Sequence, residues 1–280
     1  MIFISNIREF IPPILNVDEQ KSELLPFYNS TYERLYSKST SNKSNSIKAP
    51  IGEKLSGKEL ILKALDEVYI SRKKQPLVEP LYYFDIRSSE DYSTPAPDYY
   101  ILNRLGIKHA KALNIRGVSN VALIHMLKMA KFILEQKEDY LLVSISQRLD
   151  PDDFRGEGYI LADGAIAFIC NKNKGQEEGY YIKELFITES EKELLCKISD
   201  KKKVIGRNNQ ETMSLLCNTI IRDNYLNYDF GCMDYLLTLE DLRNNKRLKN
   251  EDEFALVGVE DNKYTMITVQ YMEGVNEERD

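Results

Sequence analysis

Apolar runs of strand length alternate with helical stretches through the first half of this chain, and that alternation constrains the fold more than any other feature. "LVEPLYYFDI" reads as a strand after Pro80, "YYILNRL" as a short helix stopped at Gly106, and "KALNI" as a second strand. A long apolar helix from about Val118 to Glu135 follows, then two more strands, "YLLVSIS" and "AIAFIC". Strands that alternate with helices predict parallel pairing in an α/β sheet with helices on its faces. Upstream, "LSGKELILKALDEVYI" supplies Ser56 as N-cap and Glu59 as its capping-box partner, with Leu62, Leu65, Val68 and Tyr69 on one helical face. The polar segments "STSNKSNSIK" and "SSEDYSTPAPD" have the composition of surface loops.

The second half repeats the theme more thinly after the polar break "NKNKGQEEG". A strand at "GYYIKELFI" precedes helices at "ETMSLLCNTIIRD" and "YLLTLEDLRNN". Two final strands, "FALVGV" and "YTMITVQYM", flank a Gly-Val-Glu-Asp-Asn stretch suited to a hairpin. The expected organisation is two α/β halves, 1–173 and 174–280, the second shortened.

Charge and cysteine usage exclude several functions. Lys and Arg number 38 against 44 Asp and Glu, a net charge of -6, so there is no overall basic field to hold a nucleic acid backbone. No apolar run reaches the roughly 18 residues of a membrane span, and "MIFISNIREF" lacks the layout of a signal peptide, so a cytoplasmic protein is expected. Cys170, Cys196, Cys217 and Cys232 lie far apart with no histidine near them in sequence, which argues against zinc and against a disulfide framework. No cofactor is expected.

The stretch "LGIKHAKALNIRGVSNVALIHMLKMAKFIL", followed by "DYLLVSISQR" and "GYILADGAIAFIC", resembles the first half of type III β-ketoacyl-acyl-carrier-protein synthases. The closing "NKRLKNEDEFALVGVEDNKYTMITVQYM" resembles that family's last helix and hairpin, so the likeness runs from about Ser56 to Met272. It implies a thiolase-like fold, two pseudo-duplicated halves in α-β-α-β-α layers. In the family the catalytic cysteine caps a buried helix, and a G-D-G-A-like turn, here Ala162-Asp163-Gly164-Ala165, opens the last strand of the first half.

Carried over position by position, the catalytic cysteine becomes Ser119. A helix N-terminus favours a thiolate, but a serine hydroxyl needs an adjacent base to become a nucleophile. The family's histidine falls in the stretch that here reads "VIGRNNQETMSLL", and this chain's two histidines, His109 and His125, are both in the first half. The family's asparagine position corresponds to Cys232 in "FGCMDY". All three catalytic positions differ, which leaves Claisen condensation by this chain alone unsupported. Plainer readings stand beside these: Ser119 as a helix N-cap, His125 as a packed core histidine, His109 at the surface, and Asp163 with Gly164 as a structural turn.

Without its nucleophile the chain resembles the chain-length factor of aromatic polyketide synthases and, more closely in size, the cysteine-less subunit of heterodimeric alkylquinolone synthases. The resemblance implies a non-catalytic subunit that heterodimerises with an active ketoacyl synthase III-like subunit and supports its fold and acyl pocket. The setting would be specialised-metabolite, fatty-acyl or polyketide biosynthesis, with acyl carrier protein or acyl-CoA reached through that partner. In this fold the strand before the nucleophile position is an edge strand through which subunits join, which makes Lys111, Ala112, Leu113, Asn114, Ile115 and Arg116 the expected interface. Two other functions remain open: a stand-alone acyltransferase or thioesterase using Ser119 or Cys232, and a homodimer that binds acyl chains or carrier protein.

Overall fold

A computed structural model describes residues 1–16, 48–50, 52, 55–72, 79–87, 97–134, 139–148, 160–172, 177–201, 203–207, 210–216, 228–260 and 262–274. The expected loops at 39–47 and 88–96, Cys217 and the distal part of the "ETMSLLCNTIIRD" helix lie outside them. The first elements are β1 (Ile2–Phe10), β2 (Ile14–Asn16), β3 (Lys48–Pro50), α1 (Gly57–Arg72), β4 (Tyr82–Arg87) and α2 (Pro97–Arg104). Next come β5 (Lys111–Arg116), α3 (Asn120–Ile133), β6 (Tyr140–Gln147), β7 (Ile160–Leu161) and β8 (Gly164–Asn171). The chain continues with β9 (Gly179–Thr188), α4 (Glu191–Ile198), β10 (Val204–Gly206), α5 (Gln210–Leu215), β11 (Tyr228–Asp229), α6 (Met233–Asn244), β12 (Glu253–Glu260) and β13 (Lys263–Met272).

Local chemistry sets the helix ends. Glu59 accepts the Ser56 backbone N–H at 2.7 Å and its hydroxyl at 2.8 Å, which starts α1 and holds the Glu59 carboxyl below its ordinary pKa. Pro97 opens α2, where its missing N–H costs nothing. Gly106, at φ 71°, ends that helix with Ile107 N–H bonded to Leu102 O at 2.9 Å.

Nine strands form one sheet in the order β10-β12-β13-β9-β1-β8-β6-β4-β5. Parallel pairing holds for β4 with β5 and β6 and for β10 with β12, but β1, β8, β9 and β13 pair antiparallel with all their neighbours, so the sheet is mixed rather than parallel. The strands separated by helices, β4, β5 and β6, pair parallel as the alternation predicts, whereas β8 follows β6 without an intervening helix among the described residues and pairs with it antiparallel. β1 is the seam: Phe3 pairs with Asn171 of β8 on one side and Tyr181 of β9 on the other. A bulge between Ser5 and Arg8, with Asn6 at φ 51°, bends it between these two tasks.

Three apolar clusters sort the residues of each strand by parity. In β8, Ile166, Phe168 and Cys170 join a central cluster, while Ala165, Ala167 and Ile169 join one built on α1 and α2. In β12, Phe254 and Leu256 join the same central cluster, while Ala255 and Val257 pack with Leu194 of α4 and Leu216 just beyond α5. One face of the continuous sheet therefore surrounds α3 and α6, and the other carries α1 and α2 at one end and α4 and α5 at the other.

That arrangement requires a curled sheet. Nine flat strands would span roughly 38 Å, whereas a helix with side chains is about 10–12 Å across. Yet α3 packs on β4, β5, β1, β9, β12 and β13, and α6 on β1, β8 and β10. The sheet wraps the two helices, giving the α-β-α-β-α layering. No helix among the described residues is long and apolar enough to cross a membrane.

Candidate functional site

The joint between β5 and α3 is built for a tight turn. Gly117 sits at φ 86° with open space around it, so the backbone conformation rather than crowding calls for glycine. Its N–H donates to Arg87 O at 2.8 Å, continuing the β5–β4 ladder. Ser119 is the N-cap of α3, extended at φ -104° and ψ 155°, and its Oγ accepts the Ala122 N–H at 3.0 Å. The hydroxyl is thus committed to a cap, and among the described residues no histidine or carboxylate is hydrogen-bonded to it.

Cys232 is brought to the same place. Gly231, at φ 63°, passes so close to β5's exit that a Cβ there would lie 2.5 Å from Val118 O. This approach lets the Cys232 N–H donate to Val118 O at 3.3 Å, so the N-termini of α3 and α6 start side by side. Cys232 is fully buried. Burial pushes its thiol pKa far up, and the charge of nearby Arg207 does not offset this, so the thiol stays protonated.

The stretch in which the resembled family carries its histidine presents Arg207 instead. Directly after β10, Arg207 donates its N–H to Val257 O at 2.9 Å and sends its side chain inward. Nε and Nη2 each bond one Asp229 oxygen at 3.0 Å, and Nη1 lies 2.9 Å from Glu260 Oε1. Burial works against the guanidinium charge, but the two carboxylates outweigh it and raise its pKa well above the usual value.

Neighbouring groups extend the cluster. Gln147 Nε2 donates to Asp229 O at 2.7 Å and Ala162 O at 3.1 Å, and Glu260 Oε2 accepts the Asn120 N–H at 3.2 Å. Gly258 leaves room for Asn120 Nδ2 and Tyr235 Oη, which would lie 1.9 and 2.1 Å from a Cβ there. The buried Asn120 amide makes no side-chain hydrogen bond among the described residues. Ser119 Oγ thus receives a backbone N–H, the Cys232 thiol is protonated and Arg207 is a permanent cation, and among the described residues no base is hydrogen-bonded to either the hydroxyl or the thiol.

The other predicted residues fall as follows. Asp163 Oδ2 accepts the Gly52 N–H at 2.9 Å, so it ties the approach to α1 to the start of β8. Gly164 lies under the Phe230 ring, where a Cβ would come within 3.2 Å. Lys111–Arg116 is β5, the last strand at one edge of the sheet. His109 is exposed as expected, but His125 is exposed too, not packed in the core, because its position in α3 points away from the side that meets the sheet. Between α3, α6 and the strands around them lies a void of about 10 Å³, too small for an acyl chain.

No protein-family model and no curated protein matches the chain by sequence. Solved structures do match in shape. ChlB3, an acyltransferase, superposes with a TM-score of 0.72 at 15% identity over 98% of each chain. The chain has the thiolase-like fold. An OleA variant from Xanthomonas campestris matches with a TM-score of 0.68 at 16% identity, over 96% of this chain and 98% of that one. The 3-oxoacyl-(acyl carrier protein) synthase III, FabH, of Xanthomonas oryzae pv. oryzae gives the same values. Within this thiolase-like fold the Arg207–Asp229–Glu260 cluster was missed by sequence reasoning. Its one signal was the arginine in "VIGR", in the stretch where a histidine was sought.

Proposed function

We propose that this chain is a non-catalytic, ketoacyl synthase III-like subunit that heterodimerises with an active condensing enzyme and supports that partner's fold and acyl pocket. The observation that carries the reading is the convergence of Ser119, Cys232 and Arg207 into a site with its hydrogen bonds and charges turned inward. Two features support a docking role for β5. Among the described residues it pairs only with β4, and its residues are half-buried or exposed. On the adjoining α3, Phe132 is 81% exposed and Met129 39%, on the same side as His125. Such a free edge beside an apolar helix face is a template for another chain.

The test is co-expression with a ketoacyl synthase III-like enzyme encoded beside it. A stable complex whose acyl transfer needs both chains, and whose activity survives Ser119→Ala and Cys232→Ala in this one, is the expected result. Acylation of this chain alone by acyl thioesters, abolished by either substitution, would overturn it.

A further inference from the structure

We infer that the face formed by β5 and α3 accepts a different chain that presents carboxylates, and disfavours a second copy of this one. The inference deepens the subunit reading above and rests on it in taking β5 as the docking edge. Its basis is a run of charge. From Tyr99 to Leu134 there is no Asp or Glu, although the chain holds 44 of them, and the same stretch contains Arg104, Lys108, Lys111, Arg116, Lys128 and Lys131. This run comprises β5 and all of α3. Lys108, Lys111 and Lys131 are exposed, and Lys128 is half-buried on the α3 side that also shows His125, Met129 and Phe132.

A two-fold pair of identical chains would set this surface against itself. Whatever the register, Lys111 of a self-paired β5 meets no acidic residue on the opposite strand, and cations gather across the joint. Like charges directly opposite in a sheet are destabilising, and such juxtapositions are how interfaces reject wrong partners. Two carboxylates near the strand are already engaged. Glu79 accepts the Lys108 and His109 N–H groups at 3.1 and 2.7 Å before the strand begins, and Glu260 faces inward to Asn120. The fitting occupant is another protein's sheet edge, with carboxylates opposite Lys111 and Lys128 and apolar surface opposite Met129 and Phe132.

The ladder supplies a clean control. Lys111 N–H and Gly117 N–H donate to Leu81 O and Arg87 O of the β4 side, so alternate residues, Ala112 and Asn114, turn their N–H groups outward. Asn114→Pro removes an outward donor and leaves the β4–β5 ladder intact.

The experiment mixes the full chain with a charge-reversed copy, Lys111→Glu plus Lys128→Glu, and follows mass by sedimentation. At about 50 mM salt the mixture should pair about tenfold or more tighter than the unaltered chain pairs with itself, and about 0.5 M salt should close the gap. Asn114→Pro should abolish the mixed pair. A mixture no tighter than the unaltered chain alone would overturn the inference, as would a mixed pair indifferent to the proline, which would indicate an acidic protein attracted to the surface without strand pairing. If the reversed copy fails to fold, the unaltered chain still decides: its self-association must strengthen as salt rises, and a flat or falling dependence rejects the inference. Retention of an active condensing enzyme without any charge preference would sink this inference and leave the subunit reading standing. Charge preference without such retention would do the reverse.

Discussion

At the residue scale, Arg207 governs the site. Replacing it by methionine leaves Asp229 and Glu260 facing each other without their cation, the kind of change that costs on the order of 3 kcal/mol. Urea unfolding of Arg207→Met should show that loss, and Arg207→Lys should recover only part of it because an ammonium cannot make the bidentate contact with Asp229. The cysteines give a second expectation. Cys196 is exposed on α4, whereas Cys170 and Cys232 are buried and burial holds both thiols protonated. Brief treatment of the native protein with a maleimide, followed by peptide mapping, should label Cys196 and leave Cys170 and Cys232 untouched until the chain is unfolded. Rapid labelling of Cys232 would mean that the site opens.

At the element scale, α6 carries a buried carboxylate with a consequence for pH. Burial pushes Glu240 up to about 8, with Glu9 and Glu178 adding to the shift and Arg243 and Arg8 opposing it. The folded pKa lies above the value of 4.5 taken for the free side chain, so the folded chain binds an extra proton between those two values. Its contribution to stability is complete below about 4.5 and is lost as pH rises toward about 8. Glu240→Gln should flatten that decline in a series of denaturation midpoints against pH. The edge strand β5 supplies a contrast: Leu113→Pro should destabilise the isolated chain by breaking the ladder to β4, whereas Asn114→Pro should leave its melting temperature nearly unchanged.

How far the elements could be read in advance depended on their chemistry. α1 and α3 were legible because their caps, Ser56 and Ser119, and their apolar faces are local features. α4 was not, since "EKELLCKI" is short and half charged and buries only Leu194. The candidate site was legible where a motif sits in one stretch, as at Ser119 and Cys232. The ion-pair cluster was not, because Arg207, Asp229 and Glu260 come from three separated segments that only the curled sheet brings together.

At the scale of the whole molecule, the β1–β9 seam is the sensitive joint. A Cβ on Gly179 would lie 2.1 Å from Ile4 O, a backbone atom that cannot swing aside, whereas one on Gly164 meets a Phe230 ring at 3.2 Å. Gly179→Ala should therefore cost more than Gly164→Ala, with the former at or beyond the roughly 1–3 kcal/mol of ordinary overpacking. Thermal melting of the two variants checks the order. Reversal of that order would mean that the seam is looser than its close backbone approach indicates.

The position of β1 also bears on how the chain reaches its fold. Ser5 finds Glu177 across 172 positions, and both strands that flank β1 are made long after it. During synthesis β1 leaves the ribosome with neither neighbour in existence, an apolar ribbon that waits until β8 and β9 have emerged. Closing so distant a pairing is slow, and an unpaired strand edge invites capture by other chains in the meantime. Soluble yield should thus depend on elongation rate and on chaperone supply more steeply than melting temperature does.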